Sequence, residues 1–449
     1  MTDANTPPAT LTVQGADPLS GRFATPGDIA ISQRALLLAA LTVGVSSISG
    51  LRASSAVLAC VAALRQMGVT IEQNGDDWRV HGLGVAGLLE PENALAAGQS
   101  AHSAALLMGL MAPYGFTTQF GKVPTLRGDA MATLNDSLSA IGASVERRSD
   151  GRMSLRGACL PLPVRQRFET PAPTAKTALL LAGLQMAGAH EIYESVATQD
   201  HTEKLMAAFG ADITTTPDEG HGDGVTIRFV GLPELKPQVL SVPGDPSAAA
   251  FGVVAALIVK GSDLVIENVL INPLRTGLID TLLEMGGDIQ FINQREIAGE
   301  HIADLRVRSS WLKGVRVDPR HAGAMLDDIA PLAIAAAYAQ GETVIEGLQD
   351  LSGPDDDRLA AIAAGLSANK VSVTRNADSL IIAGEGKVGG GGRVRSGGDA
   401  AIAMSFAVLG LASRHRVSIE DAEAITASFP DFVATMTQVG GHFPPSKGR

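Results

Sequence analysis

Two Pro-Gly-Asp turns stand at the entrance of apolar helices, Pro26-Gly27-Asp28 and Pro243-Gly244-Asp245-Pro246-Ser247. Such a turn can set backbone N–H groups at a helix start, where they attract anions. A third helix start reads Asp399-Ala400-Ala401-Ile402-Ala403-Met404-Ser405. The charged residues near these helices are few. Arg34 is unusual in a mostly apolar helix start and reads as a cleft residue, and Lys176 reads the same way. Asp327 begins a helix, where it can act in a site or cap backbone N–H groups. Arg358 follows Asp356 and Asp357, a setting that suits a solvated ion pair as well as ligand binding. His102 would titrate near neutral pH and could move protons, although a lone histidine more often fills surface or core. The chemistry such a set offers is anion binding with a carboxylate or imidazole to carry a proton. No His, Cys or carboxylate set has zinc-site spacing. The glycine-dense stretch Gly389–Gly398 lacks the Gly-Lys-Ser/Thr ending of a phosphate-binding loop.

The elements that must position these residues repeat along the chain. An apolar helix, a Gly-centred turn and a β-branched strand recur at Gly44, Gly188, Gly261 and Gly341. A second phrase, a helix ending in Gly before a strand, recurs at Gly68, Gly142, Gly210 and Gly286. Weaker copies fall at Asn369-Lys370-Val371 and Val439-Gly440-Gly441. Gly at a helix end supplies a left-handed cap without a Cβ clash. The spacing of about 70 to 80 residues gives six units, and two sets of three predict two similar lobes. The Pro- and Gly-rich segment 234–248 is the expected crossover. The first lobe is expected over 24–240, and the second over 1–23 plus 241–449.

Composition limits the partners. The chain has 449 residues, enough for two domains or more. A net charge of -12 argues against a basic face for nucleic acid. Apolar runs such as Ala35–Val43 are too short to span a bilayer. Cys60 and Cys159 form no CxxC pair, and residues 1–20 show no secretory signal pattern. The expected location is the cytoplasm. The expected partner is a small-molecule substrate in a cleft between the lobes, with no nucleic acid and no membrane.

Phrases spread over nearly the whole chain resemble the 5-enolpyruvylshikimate-3-phosphate (EPSP) synthase family, closest to its class II bacterial branch. They are Pro26-Gly27-Asp28, Asp200-His201-Thr202-Glu203-Lys204, Val242-Pro243-Gly244-Asp245-Pro246-Ser247, Asn272-Pro273-Leu274-Arg275-Thr276-Gly277, Ala303-Asp304-Leu305-Arg306-Val307-Arg308, Asp356-Asp357-Arg358-Leu359 and Ser428-Phe429-Pro430-Asp431-Phe432. The resemblance implies an α/β fold, a two-lobed inside-out barrel-like architecture with three βαβαββ units per lobe. It implies a monomer without metal or organic cofactor. It also implies transfer of the enolpyruvyl group of phosphoenolpyruvate to the 5-hydroxyl of shikimate-3-phosphate, through a tetrahedral intermediate with release of phosphate. Asp327 matches the family's base, and Asp328 takes a neighbouring glutamate position. Arg34 matches a shikimate-side arginine, Lys176 the lysine after the Ser-x-Gln phrase, and Arg358 a phosphoenolpyruvate arginine. Thr174 and Asp355 occupy substrate-binding columns, and Arg127 lies near another phosphoenolpyruvate arginine. His201-Thr202-Glu203 looks like family scaffold.

Other family positions are changed. Ile29 and Ala30 stand for a lysine and a serine, and Ala105 for an arginine. Pro354-Asp355 replaces Lys-Glu, Ala400-Ala401 replaces His-Arg, Ala172-Pro173-Thr174 replaces Ser-x-Gln, and Gln199 replaces an arginine. Each charge-assisted hydrogen bond contributes about 1.5–3 kcal/mol. Four missing cations then remove on the order of 6 kcal/mol, at least about four decades of affinity. The expectation on this count is a homologue that has lost ordinary phosphoenolpyruvate binding and takes a different cyclic or polyol ligand. The alternatives are a noncatalytic sensor or partner protein, and a working synthase insensitive to glyphosate.

Overall fold

A computed structural model describes residues 9–98, 100–126, 129–218, 222–318, 325–348, 351 and 358–444. The chain forms two compact units, one of residues 27–243 with 296–300, the other of 1–26, 244–295 and 301–449. The short segment Glu296–Glu300 belongs to the first of these although the two strands it connects, Asp288–Ile297 and Glu300–Arg308, lie mostly in the second. Sequence patterns gave no sign of that excursion.

Among the described residues, each unit holds three small mixed sheets. In the 27–243 unit, Val43–Ser49 pairs antiparallel with Asp77–Leu83 and parallel with Val239–Ser241. Ala189–Glu194 repeats that scheme with Val225–Val230 and Arg165–Phe168. Thr117–Lys122 pairs antiparallel with Arg152–Arg156 and has a parallel bridge from Phe120 to Leu95. In the other unit Asp263–Leu270 lies between Glu300–Arg308 and Ser20–Ala24, again antiparallel on one side and parallel on the other. Gln340–Ile345 pairs antiparallel with Leu380–Glu385 and has parallel bridges to Lys313 and Arg316. In the last sheet Val417–Glu420 pairs parallel with Arg393–Arg395, and its antiparallel neighbour is Thr10–Val13, from the opposite end of the chain. The architecture is α/β with three βαβαββ repeats in each unit.

Six helices follow the first strand of a repeat or its turn and are buried along most of their length. They are Ile29–Ala40, Ala101–Met111 and Pro173–Leu184 in one unit, and Pro246–Ile258, Ile329–Tyr338 and Ala400–Ala412 in the other. A helix apolar on all sides belongs in a core. Small residues let these helices approach closely: a Cβ at Gly109 would collide with the Ala178 backbone. Side-chain caps fix several starts. Asp28 Oδ1 accepts the Ile31 N–H at 2.8 Å, and Asp399 Oδ1 accepts the Ile402 N–H at 3.0 Å.

The glycine of the second phrase has positive φ in five repeats: +91° at Gly68, +96° at Gly142 and Gly210, +90° at Gly286 and +110° at Gly440. The sixth position is Lys370, at φ +68°. A side chain in this left-handed region is strained by about 1–2 kcal/mol. Lys370→Gly is expected to raise stability by about 0.5–1 kcal/mol, the relieved strain outweighing glycine's added unfolded-state entropy. Denaturant unfolding of the two proteins checks this, and a lower midpoint for the variant refutes it.

Candidate functional site

In the 27–243 unit, the helices Ile29–Ala40, Pro173–Leu184 and His201–Ala208 bring Arg34 and Lys176 into one polar seam. Arg34 is buried. Its Nε donates to Thr202 Oγ1 at 2.8 Å, its Nη2 to Thr177 Oγ1 at 3.1 Å, and its Nη1 to the Ala30 carbonyl at 3.0 Å. Lys176 is fully buried. Its Nζ lies 3.0 Å from Glu194 Oε2 and 2.9 Å from Glu203 Oε1, and donates to the carbonyls of Thr198 and Gln199. Burial alone would lower the Lys176 pKa, but the Glu203 and Glu194 carboxylates overcome it and hold the ammonium above the usual lysine range. The structure therefore assigns Lys176 to a core ion-pair cluster, with its charge already engaged, rather than presenting it to a ligand.

Thr174, in the first turn of Pro173–Leu184, is bonded through Oγ1 to His102 Nδ1 at 2.8 Å. His102 is exposed in the first turn of Ala101–Met111, whose start is capped by Ser100. Two candidate residues from separate helices are thus in direct contact. Ala105, one turn further along, is buried in the core of the unit.

In the other unit the structure joins Asp327 and Arg358. Asp327 lies in the 3-10 turn Leu326–Asp328, with its side chain 87% exposed. The helix that follows has Asp328 at its cap position, which makes no side-chain cap bond. Asp327 Oδ1 stands 3.7 Å from Arg358 Nη1, and Arg358 Nε stands 2.8 Å from Asp399 Oδ2. Arg127, Asp355, Pro354 and His321 lie outside the described residues.

Sequence reasoning passed over Asp328 as a titrating group. It is fully buried, and its neighbours are Ser247, which bonds it, Arg275, Asp327 and Asp245. Burial raises its pKa to about 7, outweighing Ser247 and Arg275, which act the other way. A carboxyl poised near neutrality beside an exposed one suits acid–base work. The signal was the Asp327-Asp328 pair together with the phrases around Asp245 and Arg275.

The raised pKa carries a sign for stability. Between pH 4 and pH 7 the folded chain keeps a proton on Asp328 that the unfolded chain has lost. Stability from this group is therefore present at low pH, falls as pH rises through that window, and levels off above about 7. Asp328→Asn is expected to remove this decline, so that its stability relative to the parent rises from pH 5 to pH 8. Urea midpoints at the two pH values measure it, and an unchanged difference refutes it.

Asp200, His201 and Glu300 present oxygen and nitrogen atoms within 4.8 Å of one another, a grouping the sequence spacing did not show. Lys204 Nζ already stands 3.1 Å from Asp200 and 3.4 Å from Glu300, and His201 Nδ1 meets Glu300 at 2.6 Å. An ammonium thus occupies the place a cation would take.

A family model described as EPSP synthase (3-phosphoshikimate 1-carboxyvinyltransferase) matches residues 13–436. The chain belongs to the EPSP synthase family. It is 44% identical over 439 residues to a 3-phosphoshikimate 1-carboxyvinyltransferase from Parvibaculum lavamentivorans, covering 97% of both chains. It is also 44% identical to one from Sphingopyxis alaskensis, covering 97% of this chain and 99% of the other. Among solved structures, EPSP synthase from Acinetobacter baumannii superposes with a TM-score of 0.86 at 33% identity, over 97% of this chain and 99% of that one.

These relatives overturn the expectation of an EPSP synthase homologue that has lost phosphoenolpyruvate binding and serves another ligand. Proteins of 3-phosphoshikimate 1-carboxyvinyltransferase name match it along almost its full length. The expectation failed because it summed losses column by column. Such sums hold for independent groups and fail for residues that share one network.

Proposed function

We propose that the chain is a working EPSP synthase that transfers the enolpyruvyl group of phosphoenolpyruvate to the 5-hydroxyl of shikimate-3-phosphate. The observation that carries this reading is 44% identity across 97% of the chain to proteins named for that reaction. The hydroxyl oxygen adds to the carbon that bears the phosphate while a base takes the hydroxyl proton and the methylene carbon gains a proton through the double bond's electron pair. The tetrahedral intermediate then loses a proton from that carbon and inorganic phosphate, which restores the double bond. Asp327, exposed beside Arg358, is the base at the hydroxyl. Arg358 meets the anionic donor. Arg34 and Thr174 serve the acceptor, Arg34 through its place in the seam and Thr174 with His102. In this reading the protein works in the cytoplasm as a monomer on small molecules, needs no cofactor, and engages neither nucleic acid nor a membrane. No described helix is long and apolar enough to cross a membrane.

The test is phosphate release from the purified chain given both substrates. Release that requires shikimate-3-phosphate, with formation of the enolpyruvyl product, is the expected result. Release no faster than in buffer, with both substrates at millimolar concentration, overturns the reading.

A further inference from the structure

We propose that Asp399 is a positioning residue that holds the Arg358 guanidinium for the anionic donor, an inference that rests on the reaction proposed above. Asp399 does two things with its two oxygens. Oδ1 accepts the Ile402 N–H at 3.0 Å, which ties the carboxylate to the start of the buried helix Ala400–Ala412. Oδ2 lies 2.8 Å from Arg358 Nε. The Nε–H points off the line between the two atoms, so the contact is an ion pair rather than an aligned hydrogen bond.

The charges are graded in exposure. The side chain of Asp399 is 17% exposed, that of Arg358 31%, and that of Asp327 87%. Arg358 is therefore anchored on its Nε side by a fixed anion, while its Nη1 faces the exposed Asp327 at 3.7 Å. A guanidinium held this way directs its terminal nitrogens at an incoming carboxylate or phosphate, which it can meet with two parallel N–H bonds. Partly exposed pairs add little to stability, so the arrangement is better accounted for by geometry than by folding. Ala400 and Ala401 follow Asp399 with side chains that bring no competing charge. Asp399 was visible in the sequence as the start of the last long helix, but its link to Arg358 spans 41 residues.

The helix cap and the Arg358 contact can be separated. Serine caps helices about as well as aspartate, so Asp399→Ser keeps the cap and removes the anion. KM for phosphoenolpyruvate is expected to rise roughly tenfold in Asp399→Ser, with kcat within about twofold of the parent. In an Arg358→Gln background the same change is expected to move KM by less than about twofold, because the residue it acts through is gone. An equal factor in both backgrounds, or an unchanged KM in the first, overturns the proposal. Crystal structures of the parent and Asp399→Ser give a readout that needs no turnover. Arg358 displaced from its parent position supports the proposal, and Arg358 unmoved overturns it. Absence of turnover in the parent would count against the reaction, while these structures would still decide the role of Asp399.

Discussion

Replacing Lys176 by methionine is expected to lower stability by about 3–5 kcal/mol. Methionine fills the space of the aliphatic stem but leaves Glu194 and Glu203 facing one another without their cation. Their side chains are 2% and 6% exposed, so water cannot take its place. The carbonyls of Thr198 and Gln199 lose their donor as well, and these residues lead directly into the helix His201–Ala208. Arg34 is bonded to Thr177 and Thr202, each next in sequence to a member of the cluster, so the disturbance reaches it too. For a unit of this size the thermal midpoint should fall by on the order of 10 °C. The deficit should shrink as pH is lowered, because a protonated carboxyl has no charge to bury. Adding Glu194→Gln and Glu203→Gln to Lys176→Met should recover a large part of it. A loss below about 1 kcal/mol would show that the cluster is not the buried ion network its geometry describes.

Asp327→Ala is expected to reduce kcat by roughly 10²–10⁴, the usual contribution of a general base. The same change should leave the unfolding midpoint nearly untouched, since exposed positions rarely matter by more than about 0.5 kcal/mol. The separation of the two effects is the point of the measurement. Steady-state rates at saturating concentrations of both substrates, read beside thermal unfolding, give both numbers. Retention of kcat within tenfold would transfer the proton-accepting role to another group. Asp328 is the first candidate, since it is adjacent in sequence and its pKa is raised to about 7.

The repeat was the most legible part of the fold. Glycines at 68, 142, 210, 286 and 440 share one left-handed conformation because each ends a helix just before a strand, a local requirement that a local pattern can carry. Lys370 shows the same requirement met by a residue the pattern does not favour. The sites were less legible because their contacts join distant segments. Lys176 read as a ligand residue because a lone cation in an apolar helix looks unsatisfied. Its counter-charges sit 18 and 27 positions away, and nothing in the spacing marks them as buried. Asp327 and Arg358 were selected separately and do meet, while Asp399 and the setting of Asp328 emerged only from the packing of chain segments far apart in sequence.

The pairing of Thr10–Val13 with Val417–Glu420 has a consequence for the order of events on the ribosome. The partner of Thr10–Val13 is translated about 400 positions after it. At about 5–20 residues per second the nascent strand waits for roughly 20–80 s. For all that time it is an unpaired edge, open to association with other nascent chains or to chaperone capture. The unit that pairs these two strands can close only after Val417–Glu420 has emerged, whereas the 27–243 segment can begin to pack well before then.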